Sequence, residues 1–188
     1  MLQYIPKKSR EIYEEVIAHL GYHLHAPENS IAAYKEALNK NYAIEFDIRL
    51  TKDNHIVCLH DRHTKRLLGI SGKTSQKTYE ELKKYCILES RECIPTLSQV
   101  LELVDGKITI LIEVKGLFTD RFRQKLLEDL RGYKGRVYFH AKNIITYYRL
   151  QNIWKDRVFW VLNPFRKRFY FIKNRQYKRL KRLTMEKA

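Results

Sequence analysis

The run KITILIEV, residues 107–114, constrains the fold more than any other stretch, because apolar and β-branched side chains occupy both alternating sets of positions. A strand of that kind must be covered on both faces, as strands are in parallel sheets flanked by crossover helices. The rest of the chain follows the same grammar. The patterning predicts a helix over 4–15 and a strand over 15–21, then a helix over 30–39 with Ile31, Tyr34, Ala37 and Leu38 on one face after the start signal Pro27-Glu28-Asn29-Ser30. Strands over 43–50 and 55–60 are joined by Lys52-Asp53-Asn54, whose turn chemistry predicts a hairpin. Helices over 78–85 and 96–103, the strand over 107–114, a helix over 120–130, a strand over 136–140, a helix over 144–154 and a strand over 157–162 complete the order. That alternation predicts an α/β domain with five parallel strands, where a closed eight-stranded barrel uses about 250 residues.

With 188 residues and 44% hydrophobic content, the chain can bury one core, so one domain over 1–164 is expected with a basic tail over 165–188. The net charge of +16 points to a polyanionic partner: nucleic acid, an anionic membrane surface or a phosphorylated substrate. Its distribution is uneven, since residues 165–188 hold ten Lys or Arg and one Glu. Cys58, Cys86 and Cys93 have no CxxC spacing and read as reduced thiols of a cytosolic chain. The opening MLQYIPKKSREIYEEV has no apolar core of a cleaved signal, which adds to the expectation of a cytoplasmic protein.

In parallel α/β folds the C-terminal ends of the strands and the loops after them form the active face. Here those ends carry polar side chains: His19, Glu45 and Asp47, His60-Asp61, and Glu113 with Lys115. Three carboxylates from two strands would make a hard, oxygen-rich site suited to Mg²⁺ or Ca²⁺. Two histidines nearby could serve as general acid and base. Purely structural readings exist for the same residues: a solvated strand face for Glu45 and Asp47, a same-face ion pair for Glu113 and Lys115, a helix N-terminal charge for Glu28. His23, His25 and His63 read as loop histidines.

The segments IAHLGYHLHAPENSIAAYKEAL, AIEFDIRLTKDNHIVCLHD, IPTLSQVLELV and ILIEVKG resemble, in order and spacing, the motifs of the glycerophosphodiester phosphodiesterase family, within the phospholipase-C-like phosphodiesterase superfamily. The resemblance implies a TIM-barrel-like (β/α) parallel barrel, here truncated after about five parallel strands. It implies a metal-dependent hydrolase that releases glycerol 3-phosphate and an alcohol from a small phosphodiester in lipid metabolism. Residue by residue, it puts proton exchange on His19 and His60, one divalent cation (Mg²⁺ or Ca²⁺) on Glu45, Asp47 and Glu113, and the phosphate near Lys115, Glu28 and Asn29.

Two departures from the family pattern matter. Leu20 stands where the family has the arginine that would clamp phosphate with a planar fork, and the family's late strands have no evident counterpart after Leu162. An alternative is therefore a catalytically weakened relative that acts as a membrane- or polyanion-binding module. In the tail, Phe169, Ile172, Leu180 and Leu183 can share a helical face opposite many cations, which suits peripheral binding to an anionic membrane; a solubilising tail is the other reading. No recognisable nucleic-acid-binding module accompanies those charges, which ranks nucleic acid last among the partners.

Overall fold

The computed structural model describes residues 15–160. Five strands run parallel in the order β1 (Ile17–His19), β2 (Ala43–Leu50), β4 (Ile110–Val114), β5 (Val137–Ala141), β6 (Val158–Trp160), and β3 (Ile56–Cys58) pairs antiparallel with β2. The helices are α1 (Ile31–Asn39), α2 (Lys65–Leu68), α3 (Tyr79–Leu82), α4 (Leu97–Val104), α5 (Asp120–Asp129) and α6 (Ile144–Trp154). The five parallel strands and the hairpin arm expected from the sequence are all present. The helix over 4–15 and the tail fall outside the described residues, and no helix among those described is long and apolar enough to cross a membrane.

Alternation along each strand divides the sheet into two unlike faces. Ala18, Ile44, Phe46, Ile48, Ile110, Ile112 and Phe139 point to the helix side, where they pack with Tyr34 of α1, Val100 of α4, Phe122 of α5 and Leu150 of α6. Full burial of such side chains stabilises the fold by roughly 1.5–3 kcal/mol each, and Ile44, Phe46, Ile48 and Ile110 are completely covered. Caps fix where the helices begin: Ser30 Oγ accepts from the Ala33 N–H, and Thr96 and Gln99 form a reciprocal capping box at α4.

The opposite face is mixed. Leu111, Tyr138 and Phe159 form a small apolar cluster with Ile17 packed against it. The same face carries His19 and Glu45 in register with Leu111, and Asp47, Glu113 and His140 one alternation further along with Phe159 opposite His140, so the apolar cluster and the polar group adjoin on one face.

Register explains how β3 fits. Ile48 pairs with Val114 on one side and Cys58 on the other, and Glu45 pairs with Leu111 and His19, so β1 and β3 lie end to end along one edge of β2. Val57 and Leu59 anchor a second core with Leu67, Leu68, Leu82, Ile87 and Ile94. The β1–α1 loop approaches α1 closely at Gly21, where φ is +81° and a Cβ would stand 2.8 Å from the Ala33 Cβ. Only glycine meets both demands.

Candidate active site

The polar group is assembled by register. Across β2 and β4, Asp47 faces Glu113, and across β4 and β5, Glu113 faces His140; His19 pairs with Glu45 across β1 and β2. Glu45, Asp47, Glu113 and His140 are 5%, 1%, 4% and 4% exposed. Three buried carboxylates at adjoining strand ends are untenable without positive charge. Lys115 Nζ lies 2.5 Å from Glu113 Oε1 and 3.0 Å from Asp47 Oδ1, and Lys142 Nζ reaches Glu113 Oε1 at 3.0 Å. His140 Nε2 lies 2.9 Å from Glu45 Oε1 and 3.4 Å from Glu113 Oε2. His19 Nε2 stands 3.7 Å from Glu45 Oε2, which also accepts the Leu20 N–H at 3.4 Å.

These neighbours treat the acids unequally. Burial opposes ionisation of Glu45, but the charge of His19 and the hydrogen bond and charge of His140 outweigh it and hold the carboxyl well below its ordinary range. Glu113 is likewise lowered, burial being overcome by His140, Lys115 and Lys142. Asp47 moves the other way: burial, then repulsion from Glu45, raises it to about 6 despite the Lys115 ammonium beside it. That ammonium is in ion-pair range, yet neither Asp47 oxygen has a partner in hydrogen-bond geometry. Lys115 itself is raised, because Asp47 and Glu113 overcome its burial.

A buried carboxylate with both oxygens short of hydrogen bonds marks a place for further positive charge. Ligand atoms of Glu45, Glu113 and His140 lie within 4.8 Å of one another. These residues fit a divalent cation, with Asp47 beside them. The sequence puts Glu45, Asp47 and Glu113 forward as the carboxylate set; in the structure the tight group is Glu45, Glu113 and His140, while Asp47 is drawn to Lys115. His140 and Lys142 are the site residues that sequence reasoning missed. Their one signal is position, since both sit at the C-terminal end of a strand.

His60 follows β3. Arg49, the next residue of β2 on the site's face, donates from Nε and Nη2 to the His60 carbonyl at 3.1 and 2.6 Å. The His60 Nδ1 is 2.8 Å from Asp61 Oδ1, which favours the tautomer with its proton on Nδ1 and leaves Nε2 to exchange protons. Asp61 is itself clamped by Arg66, whose Nε lies 2.5 Å from Oδ2, and Arg66 also grips Glu28 at 2.6 and 2.9 Å. The Arg66 hydrogen bonds, reinforced by His60, hold the Asp61 carboxyl down to about 2 against a modest burial cost. Glu28, expected near phosphate, is thus joined through Arg66 to the residue that orients His60.

Asn29, with φ +53°, sets its Oδ1 3.0 Å from the Tyr34 hydroxyl and 3.4 Å from the Asp47 backbone N–H, both of which donate to it. It pins the loop before α1 to β2 under the acid cluster. Leu20 lies between these parts, 7% exposed and with φ +59°. His23 is half-buried, and burial and the charge of His19 both lower its pKa, which brings it closer to the site than a loop reading implies.

A parallel α/β sheet of TIM-barrel type, with acids and histidines at the strand C-termini, defines a class of barrel-derived phosphodiesterase-like domains. The model of the glycerophosphoryl diester phosphodiesterase family matches residues 19–181, and the chain belongs to that family. The chain is 34% identical over 153 residues to the glycerophosphodiester phosphodiesterase of Caldanaerobacter subterraneus subsp. tengcongensis, covering 74% of this chain and 61% of that one. The crystal structure of glycerophosphodiester phosphodiesterase from Thermotoga maritima superposes with a TM-score of 0.66 at 26% identity, over 90% of this chain and 70% of that one. A phosphodiesterase of Oleispira antarctica, solved in complex with its product sn-glycerol-3-phosphate, shares the fold with a TM-score of 0.69 at 22% identity, over 80% and 66%. The chain spans about 60% of the length of the first two relatives it matches in sequence. The match runs to residue 181, into the segment read as a tail.

Proposed function

We propose that the protein is a metal-dependent phosphodiester hydrolase that cleaves a glycerophosphodiester to glycerol 3-phosphate and an alcohol. The observation that carries this reading is the buried group of Glu45, Glu113 and His140, with the underbonded Asp47 beside it and two half-exposed histidines at its margin. A bound divalent cation, Mg²⁺ or Ca²⁺ on the evidence of the carboxylates, would polarise the phosphoryl oxygens and offset developing negative charge. Glu45 and Glu113 would hold it in place. His60, oriented by Asp61, and His19 take up and return the proton on opposite sides of the phosphorus. Lys115 and Lys142 turn from the carboxylates to the phosphate. The product-bound relative supports the choice of glycerol 3-phosphate.

The test is turnover of glycerophosphocholine, glycerophosphoglycerol and a chromogenic phosphodiester by the purified chain with Mg²⁺, Ca²⁺ or Mn²⁺. Activity well above a His60→Ala control is expected; none above it rejects the reading.

One observation favours the second reading, a weakened relative that binds rather than turns over: an apolar, buried side chain at position 20 in place of a phosphate-clamping guanidinium. Leu20→Arg separates the two. A rise in kcat/KM of ~10²-fold, equivalent to ~3 kcal/mol, identifies an eroded site, and no rise from an already active parent identifies a different substrate geometry.

The basic segment 165–188 supports a cytoplasmic protein peripheral at an anionic membrane, where each basic residue adds ~1 kcal/mol. Salt-sensitive co-sedimentation with anionic liposomes is expected for the full chain and not for one ending at Pro164. Equal sedimentation of both removes the tether.

A further inference from the structure

We propose that His140 is itself a ligand of the cation, making the centre a mixed nitrogen and oxygen site that prefers a first-row transition ion such as Mn²⁺ or Co²⁺ to Mg²⁺ or Ca²⁺. This rests on the metal-site reading above and changes which atoms hold the metal.

Three observations converge. His140, near the C-terminal end of β5, stands directly beside Glu113 in parallel register, so its side chain projects from the same face as the acids and level with Glu113 and Asp47. It is 4% exposed, and its Nε2 contacts one oxygen from each glutamate, at 2.9 and 3.4 Å. Donor atoms at right angles around one ion with bonds of about 2.1 Å lie about 3 Å apart, so these spacings are those of neighbouring ligands as well as of hydrogen bonds. Finally, Glu113 already has Lys115 and Lys142 as counter-charges. A buried imidazole bridging the two glutamates brings a donor type that a purely carboxylate site lacks.

The chemistry of the set fixes the preference. Carboxylate and water ligands suit Mg²⁺, Ca²⁺ and Mn²⁺ alike, and an added imidazole favours the first-row transition series, which begins with Mn²⁺ and gains affinity through Co²⁺. Mg²⁺ also parts with water reluctantly and favours regular octahedral oxygen shells. Replacing one oxygen by a buried nitrogen penalises it most.

The full chain loaded with Mn²⁺ and read by pulsed electron paramagnetic resonance decides the matter without reference to turnover. The parent should show the ¹⁴N coupling of a directly bound imidazole, and calorimetry should show Mn²⁺ bound at least ~10-fold more tightly than Mg²⁺. His140→Gln keeps a hydrogen-bond donor for Glu45; it should lose the coupling and most of that preference while still binding Mn²⁺. Binding by the parent without nitrogen coupling overturns the assignment and leaves the carboxylate site standing. Coupling that persists in His140→Gln belongs to another nitrogen and also overturns it. No Mn²⁺ binding by the parent overturns both this assignment and the metal-dependent function. If His140→Gln does not fold, the parent spectrum decides alone, since absence of coupling there is sufficient to reject the ligand.

Discussion

Arg66 holds Asp61 and Glu28 together, and Asp61 in turn meets the His60 imidazole. Because the Asp61 carboxyl sits at about 2 in the folded chain, below an ordinary unfolded value of ~3.9, the unfolded state binds its proton first as pH falls. The contribution is fully present above about pH 4 and disappears as pH drops through 2. Arg66→Met should therefore lower urea stability by ~1 kcal/mol at pH 6, a figure discounted for the solvent around the pair, and the gap from the parent should close between pH 4 and 2. A constant gap across that range would show that Arg66 acts by packing its stem. None of this chain of contacts could be read locally, since Glu28 and Arg66 are 38 residues apart. His19, Glu45, His60 and Glu113 were legible because each ends a patterned strand or belongs to a motif. His140 ends a patterned strand too, but its significance depends on β5 lying next to β4, and strand order is a property of the assembled sheet.

Among the elements, β2 was legible to the residue, over 43–50, because its apolar positions alternate strictly with Glu45, Asp47 and Arg49. The strand expected over 107–114 forms its named ladder only from Ile110. The helix over 144–154 is found with its expected bounds, while other helix ends moved by up to three residues, as at α3, where a reciprocal cap at Thr78 and Glu81 opens a single turn and not the longer helix expected over 78–85. The region between β3 and α4 resisted reading because its elements span three or four residues, too few for any period to show. The β1–α1 junction gives a sharp expectation at this scale. Gly21→Ala brings a left-handed φ penalty and a methyl 2.8 Å from the Ala33 Cβ, so it should destabilise by ~2 kcal/mol, seen as a Tm lowered by about 4–8 °C. An unchanged Tm would mean that the loop can retreat from α1 freely.

For the whole molecule, the family fold was readable from β-α alternation, while the lateral placement of β3 and the grouping of the polar residues on one sheet face emerged only from register. A cation that binds the folded chain and not the unfolded one stabilises it by ~2.7 kcal/mol at a hundred times its Kd. The thermal midpoint should accordingly climb with Mn²⁺ concentration, and Glu113→Gln should blunt that climb; a midpoint indifferent to metal in the parent would speak against a folded-state site. The parallel register across β2, β4 and β5 also sets an order of events. Glu45 and His140 meet across 95 residues of chain, and contacts of such separation form only after the intervening loops have closed. Until β5 docks, the acids can stay in water, and the cationic partners from residues 115, 140 and 142 arrive on the same strand ends that bury them. Desolvation and neutralisation are thereby made simultaneous. The centre should be among the last parts of the chain to acquire native structure during folding, and among the first to report when the sheet begins to come apart.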